Sequence, residues 1–307
     1  MIGLEHHAGF NLTSNKLQLV EVSLENDEFL VDSIDEVYLN EFLNLSVDKE
    51  TKIVSILQAA YDEITLKKPL KSRAVSFSLP LDTFLTHQLP LEASLLHQDI
   101  LEQFKWDYSL LYPTLKFDNY VFQYFEVEKN NIVNYNSAIV SAVPRKILQL
   151  LQNFCNTNKL HLRFVDSVHF ASDKAITFNQ NFIINGYNLS IYLSDKIASI
   201  EVLENGTPIF YRFSHLENSS KLIDLLNEIF NDSTLKLDKS ILDSVFLSGD
   251  EISLTFIQSF EDNFGVRTYA VQSFGKINVK PHLFEAKYYL DKFFNFSSAA
   301  GICFRLA

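Results

Sequence analysis

Two stretches of this chain alternate apolar and polar residues with a period of two, and they break at polar turns in the same order. Gly9 to Val31 reads GFNLTSNKLQLVEVSLENDEFLV, and Asn188 to Phe213 reads NLSIYLSDKIASIEVLENGTPIFYRF. Val20-Glu21-Val22 in the first answers Ile200-Glu201-Val202 in the second, and Glu25-Asn26-Asp27 answers Glu204-Asn205-Gly206. The alternation predicts a three-stranded meander in each stretch. Two such copies half a chain apart predict a duplicated α/β domain, with the first turn of each copy facing a shared cleft.

Other segments switch to helical spacing. Residues 48–66 carry Ile53, Ile56, Leu57, Ala60, Tyr61 and Ile64 on one face. Residues 92–111 carry Leu95, Leu96, Ile100, Phe104 and Tyr108. Pro144 opens a predicted helix over 145–157, and further helices are predicted over 169–179, 219–230, 252–263 and 297–306. Short runs at 74–79, 83–89, 118–127, 162–165, 244–249 and 267–270 read as strands. Residues 136–143 are nearly all apolar, as in a strand covered on both faces. In residues 118–127 Tyr120, Phe122 and Tyr124 alternate with Val121, Gln123 and Phe125, so that strand is either central or covered by a partner.

Composition narrows the class. The chain has 307 residues, 47% hydrophobic and 21% charged, enough for a large soluble core. A net charge of −12 without a basic block speaks against nucleic acid and anionic lipid as partners. Cys155 and Cys303 are far apart in apolar contexts and read as core thiols. The start shows no secretory pattern, and no apolar run reaches the length of a membrane span. The expectation is a cytoplasmic protein without membrane insertion.

The order of these pieces resembles the actin-like ATPase superfamily, and within it the PilM-like family of type IV pilus assembly. Ser141 to Ala171, SAVPRKILQLLQNFCNTNKLHLRFVDSVHFA, is similar to the family's strand, Pro-Arg helix, strand and Val-Asp ending. Phe104 to Val127 resembles its helix with a Trp-acidic pair followed by an Asp-Tyr strand, Ser76 to Pro90 its pair of proline-closed strands, and Val245 to Gly249 its Ser-Gly adenosine motif. The resemblance implies a duplicated actin-like (ribonuclease H-like) core with an inserted small α/β subdomain. It divides the chain into 1–72 plus 137–184, an insert at 73–136, a second unit at 185–296, and a C-terminal helix at 297–307 packing back on the core. Between Ser214 and Val245 there is room for one helix where the family has a whole outer subdomain. The second half is therefore expected to be reduced, with one wall of an adenine pocket missing.

Nucleotide binding in this fold uses turns where glycine lets backbone N–H groups reach the phosphates, and an aspartate in each strand for the metal-water shell. Here the first turn is Asn11-Leu12-Thr13-Ser14-Asn15 and the second is Tyr192-Leu193-Ser194-Asp195-Lys196. Neither holds glycine; asparagine and tyrosine replace the aspartates. Ser248-Gly249 is followed by Asp250 and Glu251, charges that would repel a phosphate. These positions predict a degenerate cleft, no ATP–Mg²⁺ and no catalysis. A nucleotide-dependent switch and an FtsA-like polymerising element are the alternatives.

Other candidates read as structure. Glu5-His6-His7 reads as a solvated N-terminus rather than a metal site, Asp32 and Asp35 as a strand-to-loop region, Asp166 as a turn acceptor, and Thr13 and Ser14 as turn residues. Trp106, amid Phe104, Tyr108 and Tyr112, fits either the core of the small subdomain or a partner groove. The run of aromatics is more than so small a subdomain easily buries, which makes these four the expected partner-binding set. The expected function is a non-catalytic scaffold of a bacterial envelope machine, of the type IV pilus or type II secretion kind. Its expected partner is the cytoplasmic tail of a bitopic inner-membrane protein such as PilN, which would hold it at the inner membrane. A homodimer is compatible with the sequence.

Overall fold

The structure, a computed structural model, describes residues 6–25, 28–92, 96–179, 185–194, 196–250, 252–275, 277–283 and 292–306. The first meander is β1 (His6–Leu12), β2 (Lys16–Glu25) and β3 (Glu28–Tyr38). The second is β9 (Tyr187–Ser194), β10 (Ile197–Glu204) and β11 (Thr207–His215). The chain between them supplies α1 (Glu50–Lys67), β4 (Ala74–Leu79), β5 (Leu85–Pro90), α2 (His97–Leu111), β6 (Tyr120–Val127), β7 (Ser137–Pro144), α3 (Arg145–Thr157), β8 (His161–Ser167) and α4 (Val168–Asn179). After the second meander come α5 (Leu222–Phe230), β12 (Leu242–Gly249), α6 (Leu254–Phe264), β13 (Thr268–Ala270), β14 (Asn278–Val279) and α7 (Ser297–Cys303).

The strands form a six-stranded sheet ordered β14-β3-β2-β1-β4-β8, a five-stranded sheet ordered β11-β10-β9-β12-β13, and a small sheet ordered β5-β7-β6. In both large sheets an antiparallel meander continues through parallel strands, β1 to β4 and β9 to β12. This is the duplicated mixed architecture that the two alternating stretches predict. The segment between β11 and β12 holds one α-helix, α5, so the second half is the shorter.

Two segments fall on the other side of the expected insert boundary. β4 pairs in parallel with β1 and belongs to the first large sheet, although 73–136 was expected to be the insert. All six of its residues are buried, and a strand with both faces apolar needs the centre of a covered sheet. Conversely β7, expected in the first unit, is the middle strand of the small sheet between β5 and β6. The polar run Lys67 to Arg73 is the connection from α1 into the core.

Each helix buries one stripe. In α3, Ile147, Leu150, Leu151, Phe154 and Cys155 face inward at three-to-four spacing, and Pro144 precedes the first helical residue with φ −60°. Asn158 closes the end by donating from its side chain to the Phe154 carbonyl. In the small subdomain α2 lies on the sheet through Ile100, Phe104 and Tyr108.

α4 and α7 lie against each other between the two large sheets, α7 against β1, β2 and β4, and α4 against β9 and β12. Every residue of α7 is buried. The approach is close enough to require glycine. A Cβ on Gly301 would sit 1.7 Å from the Ala171 carbonyl oxygen of α4, and one on Gly9 of β1 would sit 2.2 Å from the Ala299 carbonyl oxygen. His7 ties the same region: one ring nitrogen bonds the Cys303 carbonyl and the other the Ser76 hydroxyl. Burial holds its pKa down at about 4, so the imidazole is neutral at physiological pH. His6 and His7 are therefore not a solvated terminus; β1 begins at His6 and His7 is in the core. Glu5 lies outside the described residues. Asp32 is likewise buried inside β3 rather than near a loop, ringed by His6, Lys71 and Lys280.

Gly301→Ala should lower stability by about 3 kcal/mol, because neither backbone can yield the missing space without parting the helix pair. Urea unfolding monitored by circular dichroism measures it. An unchanged midpoint would mean that α7 slides to accommodate a methyl group.

Candidate functional site

The side chains of the turn after β1 close on themselves. Asn11 donates to the Gln18 side chain at 2.8 Å and accepts from Ser78 at 3.1 Å. Gln18 in turn donates to Glu36 at 2.7 Å. The Thr13 hydroxyl accepts from the Lys16 backbone N–H at 3.2 Å and donates to Asn15 at 3.0 Å, a turn-closing role. Ser14 is exposed, and its carbonyl accepts from the Leu43 N–H.

Lys16 crosses the cleft. Its ammonium lies 3.5 Å from Glu36 in the first half and 3.4 Å from Asp250 after β12 in the second. Burial alone would lower its pKa; the Asp250 and Glu36 charges outweigh that and the net shift is upward, so Lys16 stays charged. Asp250 is thus neutralised by a lysine rather than standing as a free charge against phosphate. Its N–H donates to the Leu193 carbonyl, and it accepts from the Ser194 hydroxyl at 3.4 Å. Asp195 and Glu251 lie outside the described residues. Tyr192 is buried against Leu81 and Val168, filling the base of the cleft. Ser248 and Gly249 are buried at the end of β12, with the Ser248 hydroxyl on the Ile191 carbonyl.

A cavity of about 1020 Å³ opens elsewhere, between the small subdomain and the first half. Its walls are the face of β6 bearing Val121, Gln123 and Phe125, the start of α3, the strand β8, and the side of α4 with Asp173, Lys174 and Thr177. β8 is an edge strand of the six-stranded sheet and β6 an edge strand of the small sheet. The groove therefore runs between two open sheet edges. Phe164 of β8 is 39% exposed within it. Arg145, Arg163 and Lys174 line it with no ion pair among the described residues, while Arg305 is paired with Asp166. Asp166 also accepts from the Ser167 N–H; it lies inside β8, not in the turn expected for it.

The four aromatics expected to bind a partner separate. Phe104 and Tyr108 are fully buried in the small subdomain, and the Tyr108 hydroxyl donates to the Val140 carbonyl at 2.7 Å, so both are core. They sit on the inner face of α2, where three-to-four spacing directs them onto the sheet. Tyr112 is half-buried, bonded to His87 at 2.6 Å. Trp106 points away from that face and is 62% exposed. None of the four lines the groove. β6 is an edge strand, not a central one: Tyr120, Phe122 and Tyr124 pack toward α2, and the alternate residues face the groove. Sequence reasoning passed over Arg145, Arg163 and Lys174, because a scattered arginine is legible as a groove cation only once β8 is known to be an edge.

No family model matches the chain, and no curated protein matches it. Solved structures do. A PilM–PilN type IV pilus biogenesis complex superposes with a TM-score of 0.72 at 14% identity, over 99% of this chain and 98% of that one. The ethanolamine utilization protein EutJ from Carboxydothermus hydrogenoformans superposes at 0.53 with 9% identity, over 97% and 89%. A Bacteroides thetaiotaomicron protein with an actin-like ATPase fold and unknown function gives 0.51 at 14% identity, over 87% and 91%. At such identities the likeness is one of fold: the chain has the actin-like ATPase fold in a PilM-like arrangement.

Lys16→Met should cost about 3 kcal/mol, since it leaves Glu36 and Asp250 without their shared cation in a buried setting. Chemical unfolding of wild type and variant measures this. A loss below about 0.5 kcal/mol would mean that water screens the two carboxylates and that the cleft is open.

Proposed function

We propose that this protein is a non-catalytic scaffold, and that the groove between β6 and β8 holds an extended segment of a membrane-anchored partner. The observation that carries the reading is the pairing of two open strand edges with apolar walls and three cations. A chain laid along either edge gains backbone hydrogen bonds, and side chains alternating to the two walls supply selectivity. In a chain of net charge −12, a groove bearing Arg145, Arg163 and Lys174 selects a segment with acidic residues. The likeness to a PilM–PilN complex supports a PilN-like partner, and the cytoplasmic tail of a single-span protein is the segment proposed for the groove. No described helix is long and apolar enough to cross a membrane.

The same reading makes the cleft between the halves inactive. Tyr192 is buried there against Leu81 and Val168, and Lys16 pairs with an acid on each side, features that disfavour the phosphates of a nucleotide. Both features support a protein that neither binds ATP–Mg²⁺ nor hydrolyses it.

Two measurements test these points. Fluorescence polarisation with the cytoplasmic tails of single-span membrane proteins encoded beside this chain should give one binder of about micromolar Kd. Arg163→Glu with Lys174→Glu should weaken it tenfold or more, and Trp106→Ala should leave it unchanged. Equal binding by the double variant would remove the groove from consideration, and loss in Trp106→Ala would return the site to the outer face of α2. Separately, millimolar ATP–Mg²⁺ should leave the melting temperature unchanged. A nucleotide present at 100 times its Kd would add about 2.7 kcal/mol, and a shift of that size would favour a nucleotide switch instead.

A further inference from the structure

Beneath the groove, between α4 and the β9–β10 hairpin, three ionisable side chains converge in the interior. One ligand-capable atom each from His169, Asp173 and Glu201 lies within 4.8 Å of the other two. His169 and Glu201 side chains have no solvent exposure, and Asp173 is buried. The Ser190 hydroxyl donates to Asp173 Oδ1. Its proton is thereby committed, so at 3.1 Å it accepts from His169 Nε2. The imidazole then carries its proton on Nε2 and presents a lone pair at Nδ1. That lone pair accepts from the Ser199 hydroxyl at 2.7 Å and lies 3.3 Å from Glu201 Oε1, while Asp173 Oδ1 lies 3.6 Å from Nε2. Both oxygens of Glu201 and Oδ2 of Asp173 are buried with no hydrogen-bond partner.

Two carboxylates that meet in the interior with three oxygens unpartnered repel each other unless a proton or a cation sits among them. One shared proton bridges a single pair of these atoms and leaves the other oxygens unpartnered. A divalent cation meets all three groups at once and balances both carboxylate charges. One imidazole nitrogen with two carboxylates suits a first-row transition ion of the Zn²⁺ or Mn²⁺ kind; Mg²⁺ and Ca²⁺ prefer all-oxygen sets. The serine on Nε2 fixes ring orientation, as the outer partners of metal-bound histidines do. Asp173 also lines the groove, which gives an ion a route inward. The other charges near the cluster, Asp166 and Arg305, are paired with each other.

We propose that His169 Nδ1, Asp173 and Glu201 bind one Zn²⁺ or Mn²⁺ ion that pins α4 to the second meander. The proposal stands on these residues alone and does not depend on what the groove holds.

The test uses the full chain, stripped with chelator, equilibrated with Zn²⁺ or Mn²⁺ at about ten micromolar, and desalted. Wild type should retain about one equivalent of one of these ions by elemental analysis, and its melting temperature should rise by about 5 °C or more. Mg²⁺ should do neither. The isosteric Glu201→Gln and Asp173→Asn variants should fold, retain less than a tenth of an equivalent, and show no rise. Wild type that holds no stoichiometric metal would overturn the proposal. So would a Glu201→Gln protein that still binds metal as wild type does. A Glu201→Gln protein that is more stable than stripped wild type, with neither protein holding metal, would assign the cluster to a carboxyl pair sharing protons.

Discussion

The packing of both halves depends on the distance between α4 and α7. Gly301 lets α7 touch the α4 backbone, and Gly9 lets β1 touch α7, so one short helix joins the first sheet to α4, which lies on the second. A methyl group at either position would hold the sheets apart. Burial of Ile302 and Phe304 contributes about 2 kcal/mol each, but only if the backbones come this near. His7 adds direction to that contact. Its two hydrogen bonds fix the end of α7 against β1 and β4, and a neutral ring satisfies both without burying a charge.

The duplicated glutamate illustrates how one motif is solved twice. Glu21 in β2 and Glu201 in β10 occupy matching places, and both are fully buried. Glu21 accepts from the backbone N–H groups of Lys71 at 2.8 Å and Ser72 at 2.7 Å, donors brought by the connection from α1 to β4. The second half has no such connection over β10. There Glu201 meets His169 and Asp173 from α4, which bring a ring nitrogen and a second carboxylate instead of N–H donors. The two halves share a backbone but differ in how a buried charge is compensated, and that difference follows from the shortened second half.

Much of the fold was legible because it rests on periodicity. The two meanders, α3 with its Pro144 start, and the nearly all-apolar β7 are written in spacing of two or three to four. What was not legible is set by partners distant in sequence. β4 looks like the start of an insert until its pairing with β1 is seen. Phe104 and Tyr108 differ from Trp106 only in which side of α2 they occupy, and the surplus of aromatic residues in that subdomain hid the distinction. The glycine-free turns could be found in the sequence, but Lys16 could not be assigned to Asp250, since no local pattern joins residues of the two halves. His169 and Asp173 share a helix face at four-residue spacing; Glu201 joins them only through the β10 register.

α4 touches both candidate regions of the molecule. Its first residue, Val168, lies against Tyr192 at the base of the cleft, and Asp173, Lys174 and Thr177 border the groove. In a fold of this shape a ligand between the halves could move α4 and so alter a groove on its other side. Such coupling needs an element with two arrangements, biased differently by the two ligands. Here the cleft end is filled by a tyrosine and spanned by an ion pair, and the middle of the helix is fixed to the second meander through His169 and Asp173. α7 closes the remaining side with no room for a methyl group. Holding α4 at these three points disfavours a second arrangement of the groove it borders. Pre-formed shape lowers the ordering cost of binding an extended segment, and it suits a protein that holds a partner continuously rather than releasing it on a signal.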